Sequence, residues 1–247
     1  MPFIDPDNGY LTVINLFKTD TPERVHRLVG EMRAIVDVAD YPGWISSTVH
    51  QGQERPGTAN FIQWRGNQDL ESRYAGDEFK HRTVPVFHEI ATYIRLMQTE
   101  VELSQRHPAL GDVTEISPDR DDYTVIEILG VAPADQSELI GVQGAMHEWL
   151  VDVPGYRSQT VLRGIRSRGV GGTDGGLTAV GQEKDFVVVY SQWDGKESYD
   201  AFRALPSADQ PAARRASLDK RDSLATSAEW NTYRVVHSRS AAQTTPA

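Results

Sequence analysis

The chain has 247 residues, 39% hydrophobic and 24% charged, enough to bury a substantial core in one or two domains. Its net charge of -10 argues against a general affinity for nucleic acid or anionic membranes, and the lack of cysteine excludes disulfides, thiolate nucleophiles and Cys-based metal sites. No apolar run could span a bilayer, and Met1 to Asp7 has neither the basic start nor the apolar core of a signal peptide, so cytoplasmic residence is the expectation.

Tyr10 to Phe17 alternates weakly and reads as a strand. Thr21-Pro22 then supplies an N-cap and a first helical residue, and Val25, Leu28, Val29, Met32, Ile35 and Val36 form a helical stripe. Pro42-Gly43 breaks the chain. Ile45 to Gln51 and Thr58 to Trp64 read as strands around the polar turn Gln53 to Gly57. A helical region is expected over Asp77 to Tyr93, with Val84, Phe87, Ile90, Ala91 and Ile94 on one side, and Arg95 to Leu103 reads as a fourth strand. This order, β-α-β-β-α-β, is ferredoxin-like.

Residues 105–121 are polar, carry Pro108 and Pro118, and read as a linker. The order then recurs. A strand at 123–129 leads to a helix marked by Leu139, Val142, Met146, Trp149 and Leu150, a hairpin over 157–193, a helical region broken at Pro206 and Pro211, and a strand at 230–238. Tyr41-Pro42-Gly43-Trp44 is echoed by Val153-Pro154-Gly155-Tyr156, and Gln63-Trp64 by Gln192-Trp193. A repeat of this length indicates a duplicated domain, since solenoid units have periods of about 20–50 residues. The expected fold is α+β: two tandem ferredoxin-like repeats, 1–104 and 122–239, whose sheets pack into a pseudo-dimeric α/β barrel within one chain. Residues 240–247 read as a disordered tail.

The copies differ in ways that point to chemistry. Gly43 to Trp64 is 21 positions and Gly155 to Trp193 is 38, so 17 residues are inserted in the second hairpin, over 164–184. They include the glycine-rich stretch 169–176, which lacks the following helix that phosphate binding needs and reads as a hairpin tip, with a lid as the alternative. Along Thr58 to Trp64, Asn60, Ile62 and Trp64 share one face, and a turn centred near residue 55 would set His50 beside Asn60. An imidazole, an amide and an indole around one space suit a flat aromatic ligand bearing oxygen. The competing reading makes Asn60 a local cap, His50 a surface residue and Trp64 core. In the second copy Trp193 keeps the indole, but Val189 and Leu162 stand where Asn60 and His50 do, which favours the first copy as the working one.

Weaker candidates for substrate or cofactor binding are Asn15, Tyr74, His81, Arg82 and His88. His81 and His88 alone make an incomplete metal site, and no metal is expected. Arg163, Arg166 and Arg168 read as solvation of a strand edge. No hydrolase elbow, Walker loop, zinc-protease or dinucleotide-binding pattern occurs in its proper context.

The twice-repeated Pro-Gly-aromatic step and the Asn60-x-x-x-Trp64 strand resemble the antibiotic-biosynthesis monooxygenase family. The tandem length, with Gly9-Tyr10-Leu11-Thr12-Val13 and Tyr190-Ser191-Gln192-Trp193, is most similar to the ring-opening oxygenases of angucycline pathways, of the jadomycin, gilvocarcin and kinamycin type. That resemblance implies oxidative carbon–carbon cleavage of an aromatic polyketide, a polycyclic phenol or quinone, with dioxygen. It implies a diffusible reduced flavin (FADH2 or FMNH2) supplied by a separate flavin reductase, although the sequence carries no flavin fingerprint. His50, Asn60 and Trp64 are the catalytic residues it implies. The alternatives are a cofactor-independent quinone-forming (anthrone-type) monooxygenase, a polyketide cyclase, a haem-degrading oxygenase using Asn15, Trp64 and His81, and a non-enzymatic ligand-binding barrel. A homodimer of two tandem barrels is compatible with the sequence.

Overall fold

The computed structural model describes residues 1–171 and 176–242. Its elements in order are β1 (Phe3–Ile4), β2 (Leu11–Lys18), α1 (Pro22–Asp37), β3 (Trp44–Gly52), β4 (Gly57–Trp64), α2 (Asn67–Ala75), a π-helical turn (Phe79–Thr83), α3 (Val84–Ile90), β5 (Tyr93–Arg106) and β6 (Thr114–Glu115). They continue with β7 (Tyr123–Val131), α4 (Gln136–Ala145), α5 (His147–Leu150), β8 (Tyr156–Gly171), β9 (Gly176–Ala179), β10 (Phe186–Trp193), α6 (Lys196–Ala204), α7 (Ala212–Leu224) and β11 (Ala225–Ser240). No helix among the described residues is long and apolar enough to cross a membrane.

Local chemistry explains most of these boundaries. Thr21 caps α1 through Oγ1, which accepts from the Arg24 backbone N–H at 3.2 Å, and Val25, Leu28, Val29, Met32 and Val36 are buried along its inner face. The second helical region departs from expectation. It starts at Asn67, where Gly66 turns the chain out of β4, and it breaks at Gly76 and again at the π-turn.

Within the first half the strand order is β3-β4-β2-β5, and within the second it is β8-β10-β7-β11. Each half alone would leave two open edges. They are closed by β5 pairing with β8 (Arg95↔Gly169 through Arg106↔Ser158) and by β11 pairing with β3 (Tyr233↔Gly52 through Ser240↔Ser46). The result is a closed eight-stranded antiparallel barrel with helices outside, formed within one chain as expected. Its interior is solid, filled by Ile14, Phe61, Met97, Leu162, Val188 and Tyr190 among others.

Residues 105–121, expected as a linker, are tied into the barrel. β6 pairs with β1 (Ile4↔Thr114), and Ile4 and Ile116 are both fully buried in the interior core. The two sides of this plug are held alike. Ser46 Oγ donates to Gln63 Oε1 at 2.7 Å, and Gln63 Nε2 donates to the Phe3 carbonyl at 3.0 Å. Ser158 donates to Gln192 Oε1 at 2.7 Å, and Gln192 Nε2 donates to the Glu115 carbonyl at 2.8 Å. Of the expected tail, Ser240 completes β11 and the Ala241 N–H donates to the Ile45 carbonyl at 2.8 Å; 243–247 lie outside the described residues.

Because both isoleucines fill the same barrel end, Ile4→Ala and Ile116→Ala should each cost about 2–5 kcal/mol. Urea unfolding midpoints measure this. A loss below about 0.5 kcal/mol for either variant would mean that its strand is not a structural plug.

Candidate functional site

The strand register decides which side chains meet. Asn15 lies directly opposite Asn60, and both project from the outer face of the sheet toward the helices. Ile62 and Trp64 share that face, as expected from the alternation. His50 does not. Gln51 pairs with Thr58 at the hairpin end, so Asn60 stands opposite Val49 and His50 opposite Ala59. One residue of register turns a side chain to the other face, and His50 points into the barrel interior. There its Nε2 is 2.9 Å from the Tyr190 hydroxyl, with the Tyr233 ring edge nearby. Leu162, opposite Val188, holds the matching interior place in the second half.

Between the first-half sheet and its helices lies a cavity of about 100 Å³. At roughly 10–15 Å³ of such space per water, it has room for about seven to ten waters, the bulk of a two- or three-ring aromatic. Val13, Phe17, Leu96, Phe87 and Met32 make its apolar walls, and Val170 of β8 reaches in from the second half. Trp44 Nε1 is satisfied by Ser47 Oγ at 2.8 Å. Four other polar atoms lining the cavity are buried without a partner: Asn15 Oδ1, Asn60 Oδ1, Trp64 Nε1 and Tyr74 OH. Buried polar groups are rarely left unpaired, so these mark where a ligand's oxygen atoms belong. Two of them accept and one donates; the Tyr74 hydroxyl can do either.

Charge enters from one side only. Arg73 lines the cavity with its guanidinium 4.1 Å over the Tyr41 ring, and its Nη2 donates to Thr83 Oγ1 at 3.2 Å and Glu78 Oε1 at 3.4 Å. Tyr41 stacks on Trp64 with ring centroids 6.4 Å apart and donates to Glu78 at 3.0 Å. Burial pushes the Tyr74 phenol well above its ordinary pKa, so it stays a neutral donor at any working pH. Among the described residues, the ionisable side chains lining the cavity are Tyr41, Arg73 and Tyr74, with no histidine or carboxylate.

Of the weaker candidates, Asn15 and Tyr74 line the cavity, whereas His81, Arg82 and His88 are exposed on the outer surface of the helical layer. His81 sits outside the cavity, which separates it from Asn15 and Trp64. Sequence reasoning missed Arg73 and Tyr41. The signal for Tyr41 was its place immediately before the Pro-Gly-aromatic step, and none pointed to Arg73. The arginine cluster is also corrected. Arg166 and Arg168 reach Glu71 on α2 at 2.7 and 3.0 Å, and Arg163 pairs with Glu102. Burial pushes Glu71 up, but Arg168, Gln98 and Arg166 outweigh it and hold the carboxyl below its usual range. The inserted hairpin thus grips the helix that carries Arg73 and Tyr74. Of the glycine-rich stretch, 172–175 lie outside the described residues.

The matching region of the second half is filled. Val189 stands opposite Glu127 where Asn60 faces Asn15. Trp193 packs against Tyr156, Tyr199 and Phe202 with centroids 5.9, 5.4 and 4.8 Å away, and its indole N–H is taken by Ser191 Oγ at 3.2 Å.

A solved structure of an anthrone oxidase-like protein is 47% identical to this chain, covers 100% of it and 99% of its own length, and superimposes with a TM-score of 0.89. The chain belongs to this anthrone oxidase-like family. Two more distant solved structures share the fold. A monooxygenase-type protein of Lactobacillus acidophilus is 12% identical with a TM-score of 0.53, covering 94% of this chain and 96% of its own. One of Fusobacterium nucleatum is 9% identical with a TM-score of 0.58, covering 94% of each. No family model and no curated protein matches the sequence. The family membership makes the chain an oxygenase-type enzyme.

Burial drops the His50 pKa to about 4 from an ordinary 6.5. The unfolded chain then binds the extra proton between those values. Stability should be full above about pH 6.5 and fall by roughly 3 kcal/mol as pH drops to 4. His50→Gln should flatten this segment of the stability-versus-pH curve, measured by chemical denaturation across pH 4–7. An unchanged slope would place the titrating group elsewhere.

Proposed function

We propose that the chain oxygenates a polycyclic phenol of the anthrone type with dioxygen, in the first-half cavity. One observation carries the reading: an aromatic-walled cavity into which two unpartnered amide oxygens, an indole N–H and a phenol O–H project. A ligand bearing both hydroxyl and carbonyl oxygens satisfies all four. The 47% identical anthrone oxidase-like protein supports the same substrate class. The two halves are then diverged copies, one working and one structural.

The chemistry follows from those groups. Arg73 favours the anionic form of the bound aromatic, and Asn15 and Asn60 hold its hydroxyl groups. Among the described residues no histidine or carboxylate lines the cavity, so in this reading the substrate's proton leaves to water. The delocalised anion gives one electron to dioxygen, the resulting radical pair forms a C–O bond, and a proton completes a hydroperoxide. Its O–O bond breaks as the second C–H proton departs. A methylene and one dioxygen thereby give a carbonyl and one water. Trp64 Nε1 and Tyr74 OH donate to the developing negative oxygen, the kind of contact worth about 3–4 kcal/mol in a dry site. In this reading the electron comes from the substrate anion itself, with no flavin and no reductase taking part. Flavin-dependent ring opening of an angucycline is the alternative that the following experiment separates from it.

The test is oxygen uptake and product analysis with an anthrone, with and without reduced flavin. Turnover should proceed without flavin, consuming one dioxygen per carbonyl formed. Asn60→Ala, Trp64→Phe and Tyr74→Phe should each lower kcat/KM at least about tenfold, a loss of about 1.4 kcal/mol, while Val189→Ala leaves it unchanged. Strict dependence on reduced flavin, or equal losses in both halves, would sink the proposal.

The rate should rise with pH as the bound substrate ionises, below the ordinary phenol value near 10. Arg73→Met should move that midpoint upward by about one unit or more. A midpoint unmoved by the substitution would remove Arg73 from the role of stabilising the anion.

A further inference from the structure

On the second half, α6, the start of α7 and the turn before β8 enclose a separate cleft of about 270 Å³. Trp149, Val153, Pro154, Phe202 and Leu205 make it largely apolar, and Arg214 forms part of its lining. Arg214 is only 5% exposed, with its guanidinium 4.0 Å over the Phe202 ring and 5.8 Å from that of Trp149. Its Nη2 donates to the Phe202 carbonyl at 2.8 Å, while Nε is buried with no partner. Among the described residues it forms no ion pair with a carboxylate. A buried cation with no counter-charge is an unfavourable arrangement that an anion would relieve.

A second observation points the same way. Arg214 stands in the first turn of α7, whose N-cap is Pro211; no side chain caps that end, and its first turn has no acidic residue. Helix N-termini favour negative charge, and here the chain places a cation instead. The neighbouring Arg215 is turned away, donating to the Gln210 carbonyl. Asp152 and Ser198 also line the cleft, Asp152 exposed at its rim.

We propose that this cleft binds a small apolar carboxylate, its oxygens on Arg214 Nε and the uncapped start of α7, its body against Trp149 and Phe202. A planar two-oxygen acceptor can take the Arg214 Nε–H on one oxygen and a backbone N–H of the first turn of α7 on the other. The apolar walls and the rim carboxylate of Asp152 disfavour a small, multiply charged anion.

The test is calorimetric titration of the full chain with benzoate, benzamide and sulfate. Benzoate should bind at least tenfold more tightly than either of the others. Arg214→Gln should weaken benzoate at least tenfold. Ala201→Phe, which fills the cleft from the exposed side of α6 and keeps Arg214, should do the same; it decides the matter if Arg214→Gln does not fold. Trp64→Phe in the first-half cavity should leave benzoate affinity unchanged. Absence of benzoate binding, equal binding of benzamide or sulfate, undiminished binding in a folded cleft variant, or loss in Trp64→Phe would each overturn the proposal.

Discussion

Every backbone N–H and C=O at a sheet edge needs a partner, and this chain meets that need by joining two four-stranded sheets along both edges. The seams β5–β8 and β11–β3 close the barrel, and closure has a price in space: the interior face becomes a solid core of aliphatic and aromatic side chains. A ligand therefore has no place at the centre. The space left beside the sheet is on its outer face, between strands and helices, which is where the cavity lined by Asn15, Asn60 and Trp64 is found.

Two such regions exist by the symmetry of the strand order, and side-chain volume separates them. In the first half Leu70 and Arg73 on α2 leave the space over Trp64 open. Eight residues after Gly66 comes Tyr74, whereas eight after Gly195 comes Arg203, and Tyr199 and Phe202 stand at the places of Leu70 and Arg73. These larger rings close on Trp193 and use the room a substrate would need. Glu127, at the place of Asn15, is held near Arg221 at 3.6 Å, with burial pushing its carboxyl up. The second region is thus neutralised electrostatically as well as filled.

The barrel, the α1 stripe and the shared face of Asn60 and Trp64 were legible in the sequence because each rests on a local period of 3.6 or 2. The face of His50 was not, since it depends on hairpin register. The hairpin turns so that Gln51 pairs with Thr58, which shifts the partner of Asn60 by one residue from the position that counting suggested. Helix α2 escaped notice because only Leu70 and Tyr74 bury along it, too few to make a periodic pattern. With α2 unplaced, Arg73 had no visible relation to the cavity. The partners of Arg166 and Arg168 were beyond reach for another reason: Glu71 lies nearly a hundred residues away and meets them only through the β5–β8 seam.

That last contact gives the long insertion of the second half a role in the first. β8 continues past the end of its pairing with β10, runs beside β5 as far as Arg95↔Gly169, and brings Val170 to the cavity wall. Arg168 holds Glu71 through both carboxylate oxygens at 3.0 Å, and Arg166 ties the same carboxylate to Gln98 and Asn67. Glu71 and Tyr74 are one turn apart on α2, so fixing one fixes the other, and the Arg168 guanidinium lies 5.9 Å from the Tyr74 ring. A two-pronged ion pair of limited exposure resists rotation better than a single surface pair. The second half therefore acts on the first through shape, fixing α2 and with it the Tyr74 that lines the cavity together with Asn15 and Asn60.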